Sequence, residues 1–167
     1  MYLKIFTIYQ VVVIGDSIPK YVGDSNNEAE RNRFVYSYTY RGKGISQIAD
    51  CVYNLSRAVV DLQADIVYVL LDTNNICGRS ACNENQFATA FKEFFDAVNY
   101  KFTRAHVIVN IIVPRLDLRP TFMNKLGAFN KVIHDLSFSR GCTIILCPWD
   151  TTTTDPLGSI WLRINCT

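Results

Sequence analysis

Ser17 closes the run Val13-Ile14-Gly15-Asp16-Ser17, an apolar segment that halts at a glycine and delivers a hydroxyl just beyond it. A serine at such a strand-to-helix turn meets backbone N–H groups and the positive end of a helix dipole, which stabilise developing negative charge. An ordinary helix N-cap has the same residue in the same place. A base separates the two readings, because a serine hydroxyl is a weak nucleophile near neutral pH unless a neighbour takes its proton. The chain holds two histidines, His106 and His134. His106 precedes the fourth apolar strand and is expected at the sheet edge opposite Ser17; His134 falls inside a helix, among core positions. The six cysteines (51, 77, 82, 142, 147 and 166) form no CxxC pair and no Cys/His spacing of the zinc-binding kind, so neither a metal nor another cofactor is expected. Cys77 and Cys82 are spaced to close a short disulfide loop, but free thiols are favoured in a chain without a recognisable export signal.

The elements that must position these groups alternate between apolar runs and helical periodicities, the pattern of a parallel sheet covered by helices. Tyr9 to Ile14 reads as the first strand and Phe34 to Tyr40, aromatic at every second position, as another. Ile45, Ile48, Val52, Leu55, Val59 and Leu62 recur at spacings of three and four, which predicts a helix from Ile45 to Leu62. Ala64 to Leu71 is a strand of the kind buried on both faces. A helix follows from Glu84 to Phe102 with Phe87, Phe91, Phe94, Phe95 and Val98 inward, then a strand from Val107 to Val113. The last predicted elements are a helix from Thr121 to Ser139, with Gly141 as its C-cap, and a strand from Thr143 to Cys147. No repeat or linker interrupts this series, so residues 1–167 read as one domain.

In such sheets, ligands sit beyond the carboxyl ends of the strands. Four segments there carry a pattern together: Gly15-Asp16-Ser17, Arg41-Gly42-Lys43-Gly44-Ile45, Asp72-Thr73-Asn74-Asn75, and Asp150-Thr151-Thr152-Thr153 followed by Gly158. In order and placement they resemble the four blocks of the SGNH, or GDSL-type, hydrolases. The resemblance implies an α/β/α sandwich of three layers around a five-stranded parallel sheet in the order 2-1-3-4-5. It implies Ser17 as nucleophile, Gly42 and Asn74 as oxyanion donors, and Asp150 as the triad aspartate. The wider pattern, with Pro114-Arg115-Leu116-Asp117 and Asn130, is most similar to SGNH domains of retrotransposon- and virus-derived proteins. Thr153 stands where the family has its histidine, Asn75 where it has an aspartate and Asp72 where it has a glycine.

These departures bear on turnover. Threonine has no titratable nitrogen and cannot accept a proton near pH 7. A carboxylate at Asp72 opposes the charge that an oxyanion site stabilises. The expectation is therefore a weak or inactive ester hydrolase, a pseudoenzyme of esterase ancestry, with an active serine esterase as one alternative. The other alternative is single-stranded RNA binding, the activity of one SGNH-like domain with an incomplete triad, an analogy at the level of the fold. Its candidate contacts are Lys20, Arg31, Arg33, Arg41, Lys43, Arg115 and Arg119, read as loop residues near one sheet edge, with Tyr21, Tyr36, Tyr38 and Tyr40 interleaved. The net charge of +2 identifies no polyanionic partner by itself. The apolar run from Leu3 to Ile14 contains Lys4, Thr7 and Gln10 and no cleavage site, so neither a membrane span nor export is expected and an intracellular setting is favoured.

Overall fold

The computed structural model describes residues 9–16, 33–56, 63–71, 73–113 and 120–146, with only the backbone of Tyr9, Arg33 and Phe34. Five strands form one sheet: β1 (Tyr9–Gly15), β2 (Arg33–Thr39), β3 (Ile66–Leu70), β4 (His106–Asn110) and β5 (Thr143–Ile145). The order is β2-β1-β3-β4-β5 and every pairing is parallel, as the resemblance to the GDSL-type hydrolases implies. β1 is the middle of the reversal, paired with β2 on one side and β3 on the other, and Val12, Val13 and Ile14 are buried. Chain direction across the sheet therefore switches beside β1, the place where α/β sheets open a crevice.

Among the described residues, four α-helices connect these strands: α1 (Ile45–Tyr53), α2 (Asn74–Cys77), α3 (Glu84–Lys101) and α4 (Met123–Ser139). The crossovers from β2 to β3, β3 to β4 and β4 to β5 all run the same way across the sheet. Right-handed crossovers then put α1, α3 and α4 on one face, in agreement with α3 packing against both α1 and α4. Of the stripes foreseen from spacing, Ile45, Ile48 and Val52 on α1 and all five positions of α3 are buried, while Leu55 beyond α1 is half-buried; on α4 Leu126, Phe129 and Ile133 are buried and Val132 and Leu136 half-buried. Phe87 stacks on Phe129 at 4.2 Å between centroids, and Phe91 meets Phe95 edge-on at 4.8 Å. Truncating one of these rings, as in Phe91→Ala, is expected to cost about 3–5 kcal/mol.

Helix ends follow local chemistry. Asn83 Oδ1 accepts from Gln86 N at 2.9 Å while Gln86 Oε1 accepts from Asn83 N at 3.0 Å, a capping box that starts α3. Gly141, at φ +69°, ends α4: its N–H reaches Phe138 O and the next N–H reaches Ser137 O, the Schellman arrangement that favours glycine. The expected extension of α1 to Leu62 is not found. Asn54 turns its side-chain amide onto Asp50 O at 2.8 Å, competing for the last helical carbonyls, and the helix closes at Tyr53. Val59 and Leu62 lie outside the described residues. Strands β3, β4 and β5 are also shorter than the apolar runs that announced them.

Candidate carbonyl-binding site

The site is assembled where β1, β2 and β3 end together. Tyr40 N donates to Gly15 O at 2.9 Å, carrying the β1–β2 ladder one step past β2 and placing the next turn beside the end of β1. In that turn Lys43 N donates to Tyr40 O at 3.1 Å and Gly42 has φ +69°, the geometry of a type II turn with its glycine in the left-handed region. Any other residue at 42 meets a cost of roughly 1–2 kcal/mol from its own Cβ. Gly44 then begins α1.

Asn74 joins the three strand ends. Its Nδ2 donates to Asp16 Oδ2 at 3.0 Å and lies 3.4 Å from Lys43 O. Asp16 is 2% exposed, and Asn74 is half-buried at the start of α2. A carboxylate offers only acceptors, so Asp16 fixes which end of the Asn74 amide is NH2 and where it points. The second contact, to Lys43 O, is the longer of the two. In the sequence Asp16 is only the middle of the Gly15-Asp16-Ser17 block; its role as the partner of Asn74, 58 residues away, is set by the fold.

Asn75 is the second residue whose role the sequence did not disclose. It is buried, and its Oδ1 accepts from Ile45 N at 2.9 Å, taking an N–H that Gly44, having no side chain, cannot cap. Its Nδ2 reaches Ser80 O at 3.4 Å and Cys82 Sγ at 3.5 Å. Gly44 itself is pinned: a Cβ there would stand 2.5 Å from Ser80 Cβ and 2.9 Å from Asn75 Nδ2. The signal available beforehand was an N-terminus without a capping side chain, which obliges a neighbour to serve.

Of the other site residues foreseen, Ser17, Asp150 and Thr153 lie outside the described residues, as do Asp72, Lys20, Arg31, Arg115, Arg119 and Tyr21. Both histidines are described. His106 is the first residue of β4, at the amino end of the sheet, with Nε2 2.7 Å from Thr143 Oγ1. His134 is on the exposed face of α4 rather than among its core positions, with Nδ1 3.3 Å from Asp135 Oδ1 and its ring over Phe138. The expected grouping of the cations at one edge needs correcting at Arg33. It opens β2, whereas Arg41 and Lys43 follow its far end, roughly 20 Å away at strand rise. Tyr36, Tyr38 and Tyr40 alternate onto one face of β2 and pack half-buried against the core. Burial pushes the Tyr38 phenol up, with Tyr36 adding to it, and pushes Tyr40 up to about 12, so neither serves as a base at neutral pH. Cys77 and Cys82 are free thiols: Cys77 Sγ faces Thr73 O while Cys82 Sγ turns to Asn75. No cluster of three or more metal-ligating side chains occurs among the described residues, and no helix there is long and apolar enough to cross a membrane.

Neither protein-family models nor curated protein sequences match the chain. Solved structures do. A GDSL-like lipase from Bacteroides thetaiotaomicron superposes with a TM-score of 0.65 at 14% identity, over 90% of this chain and 74% of that one. A lipase/acylhydrolase from Enterococcus faecalis gives 0.64 at 14%, over 89% and 80%. The psychrotrophic esterase EstA from Pseudoalteromonas sp., in a structure inhibited by monoethylphosphonate, gives 0.60 at 10%, over 89% and 85%. With this strand order, this switch point beside β1 and these structural matches, the chain has the fold of the GDSL-like lipases and esterases it superposes on.

Proposed function

We propose that the domain receives an acyl or ester carbonyl at the carboxyl edge of its sheet and hydrolyses it weakly or not at all. Ser17 takes the nucleophile place, Gly42 and Asn74 the oxyanion places, Asp150 the triad aspartate place and Thr153 the histidine place. The observation that carries the reading is the position of the imidazoles. The chain has two histidines; one is bonded to Thr143 at the amino end of the sheet and the other is on the outer face of α4. A carbonyl oxygen at the turn is served by the Asn74 NH2, held by Asp16, and by the backbone of the Gly42 turn. The proteins of like fold named above are a lipase, an acylhydrolase and an esterase, in keeping with an ester-type ligand.

Without a base, attack by the Ser17 hydroxyl has no acceptor for its proton, and stabilisation of the oxyanion alone remains. In serine proteases stripped of their triad, that remainder is on the order of a thousandfold over water. Steady-state hydrolysis of p-nitrophenyl acetate tests the reading. The expected result is a rate far below the ~10 s⁻¹ of a typical enzyme and unchanged in Ser17→Ala. Turnover at ordinary enzyme rates, lost in Ser17→Ala, supports the active-esterase alternative instead. RNA binding draws less support, since the tyrosines meant for base stacking pack on the core and Arg33 begins β2.

A further inference from the structure

α2 is four residues long, too short to keep its shape by its own hydrogen bonds. Most of its carbonyls are served from nearby in the chain. Thr73 O accepts from Ile76 N and Cys77 N, Asn74 O from Gly78 N and Asn75 O from Cys82 N. Ile76 O is different, because its partner comes from another helix: Lys125 Nζ donates to it at 3.1 Å, from 49 residues away in sequence. Lys125 stands in the first turn of α4, half-buried, with Nζ 5.5 Å from the centre of the Phe129 ring. That ring is itself stacked on Phe87. A helix-terminal carbonyl and an aromatic face both attract an ammonium, so the head of this lysine is held by two partners. Lys125 thus ties α2 to α4, while Asn75, through Ile45 N, ties the same short helix to α1.

Asn74 opens this helix, and its side chain depends on how the helix is rolled. Nδ2 meets Asp16 Oδ2 at 3.0 Å and Lys43 O at 3.4 Å, and a small rotation of α2 about its axis would break the longer contact first. Asp16 settles which end of the amide is NH2, but a bond to one side chain does not fix the backbone that carries it. The ties to α1 and α4 do. Without the second, α2 is held through Asn75 alone and can turn about that contact. We propose that Lys125 is a positioning residue for the carbonyl site: by clamping Ile76 O it sets the roll of α2 and keeps the Asn74 NH2 on Asp16, beside the Gly42 turn. It acts through the backbone of α2 and not on a ligand. Lys131, farther along α4, pairs with Asp135 on the exposed face and has no such role. That Asn74 serves a carbonyl rests on the reading proposed above; the hold of Lys125 on Asn74 does not.

The test is ¹⁵N NMR of the Asn74 side-chain NH2 in the whole chain, with no ligand added. Lys125→Met keeps a stem of similar length over Phe129 and removes the ammonium, so the chain should stay folded. The expected result is that the two Asn74 NH2 signals move toward those of a free amide and exchange with solvent about tenfold faster, the worth of one hydrogen bond from a charged donor. Lys125→Arg keeps a donor and should restore the parent signals, and Lys131→Met should leave them where they are. A lysine that only adds stability would lower the melting temperature in Lys125→Met and leave the Asn74 signals of the folded form in place. Unchanged Asn74 signals in Lys125→Met, or changes of equal size in Lys125→Arg or Lys131→Met, would overturn the assignment. Because no ester or carbonyl compound is present, the outcome is independent of whether the chain hydrolyses p-nitrophenyl acetate.

Discussion

Replacing Gly44 by alanine tests how tightly the loop after β3 locks the turn after β2. The new Cβ would stand 2.5 Å from Ser80 Cβ, well inside contact distance, and Ser80 Cβ moves only if its backbone moves. The second neighbour, Asn75 Nδ2 at 2.9 Å, belongs to the amide whose oxygen caps Ile45 N, so retreat on that side loosens the start of α1. Overpacking of this kind costs about 1–3 kcal/mol. Restricting the unfolded chain returns about 0.4–1 kcal/mol of it. The backbone at 44, φ −84° and ψ 171°, is open to alanine, so no further strain enters. The net expectation is a loss of about 1–2 kcal/mol, or roughly 2–8 °C in melting temperature for a chain of this size. Urea unfolding followed by circular dichroism measures it. Ser80→Gly removes the clashing atom, and a double-mutant cycle should show the pair coupled by about 1 kcal/mol or more. A Gly44→Ala variant as stable as the parent, or additive effects in the double variant, would refute the packing described.

Two further expectations concern the same region and the core. Asn75→Ala leaves Ile45 N–H without its acceptor and should cost about 1–3 kcal/mol. Asn75→Asp keeps that acceptor beside a helix N-terminus but turns a buried carboxylate oxygen onto Ser80 O, so it should recover only part of the loss; a urea midpoint equal to the parent's would contradict this. Burial pushes the Cys142 thiol up to about 11 from its ordinary 9.0, and Tyr40 up to about 12 from 10.0. The folded chain thus holds both protons more tightly than the unfolded one, and stability is level near neutral pH. It should fall as pH rises past the unfolded values toward the folded ones. Cys142→Ala should flatten the onset of that fall, and an unfolding midpoint unchanged up to pH about 11 would rule the effect out.

The sheet was legible because β1, β3, β4 and β5 are apolar runs and β2 alternates aromatic residues, and α1, α3 and α4 because their core residues recur at helical spacing. Periodicity did not find α2, which at four residues is too short to show a period, nor the early end of α1, set by one asparagine side chain. Gly42 and Asn74 could be named because the segments after the second and third strands resemble two blocks of the GDSL-type hydrolases. Asp16 and Asn75 could not, since their roles depend on partners 58 and 30 residues away that only the fold brings close. Arg33 was misplaced for a related reason: a basic residue near a polar segment reads as loop, yet its backbone pairs with Tyr9 at the start of the sheet.

The central proposal is that Ser17 takes the nucleophile place of a GDSL-like fold without a group to activate it, and a fluorophosphonate probe addresses this without any guess about the substrate. Such probes phosphonylate serines whose proton is drawn off by a neighbouring base. Intact-protein mass spectrometry after incubation of the chain at neutral pH should show no adduct, with Ser17→Ala behaving identically. Stoichiometric modification, mapped to Ser17 and absent in Ser17→Ala, would contradict the claim and reveal a base supplied by other residues of the chain.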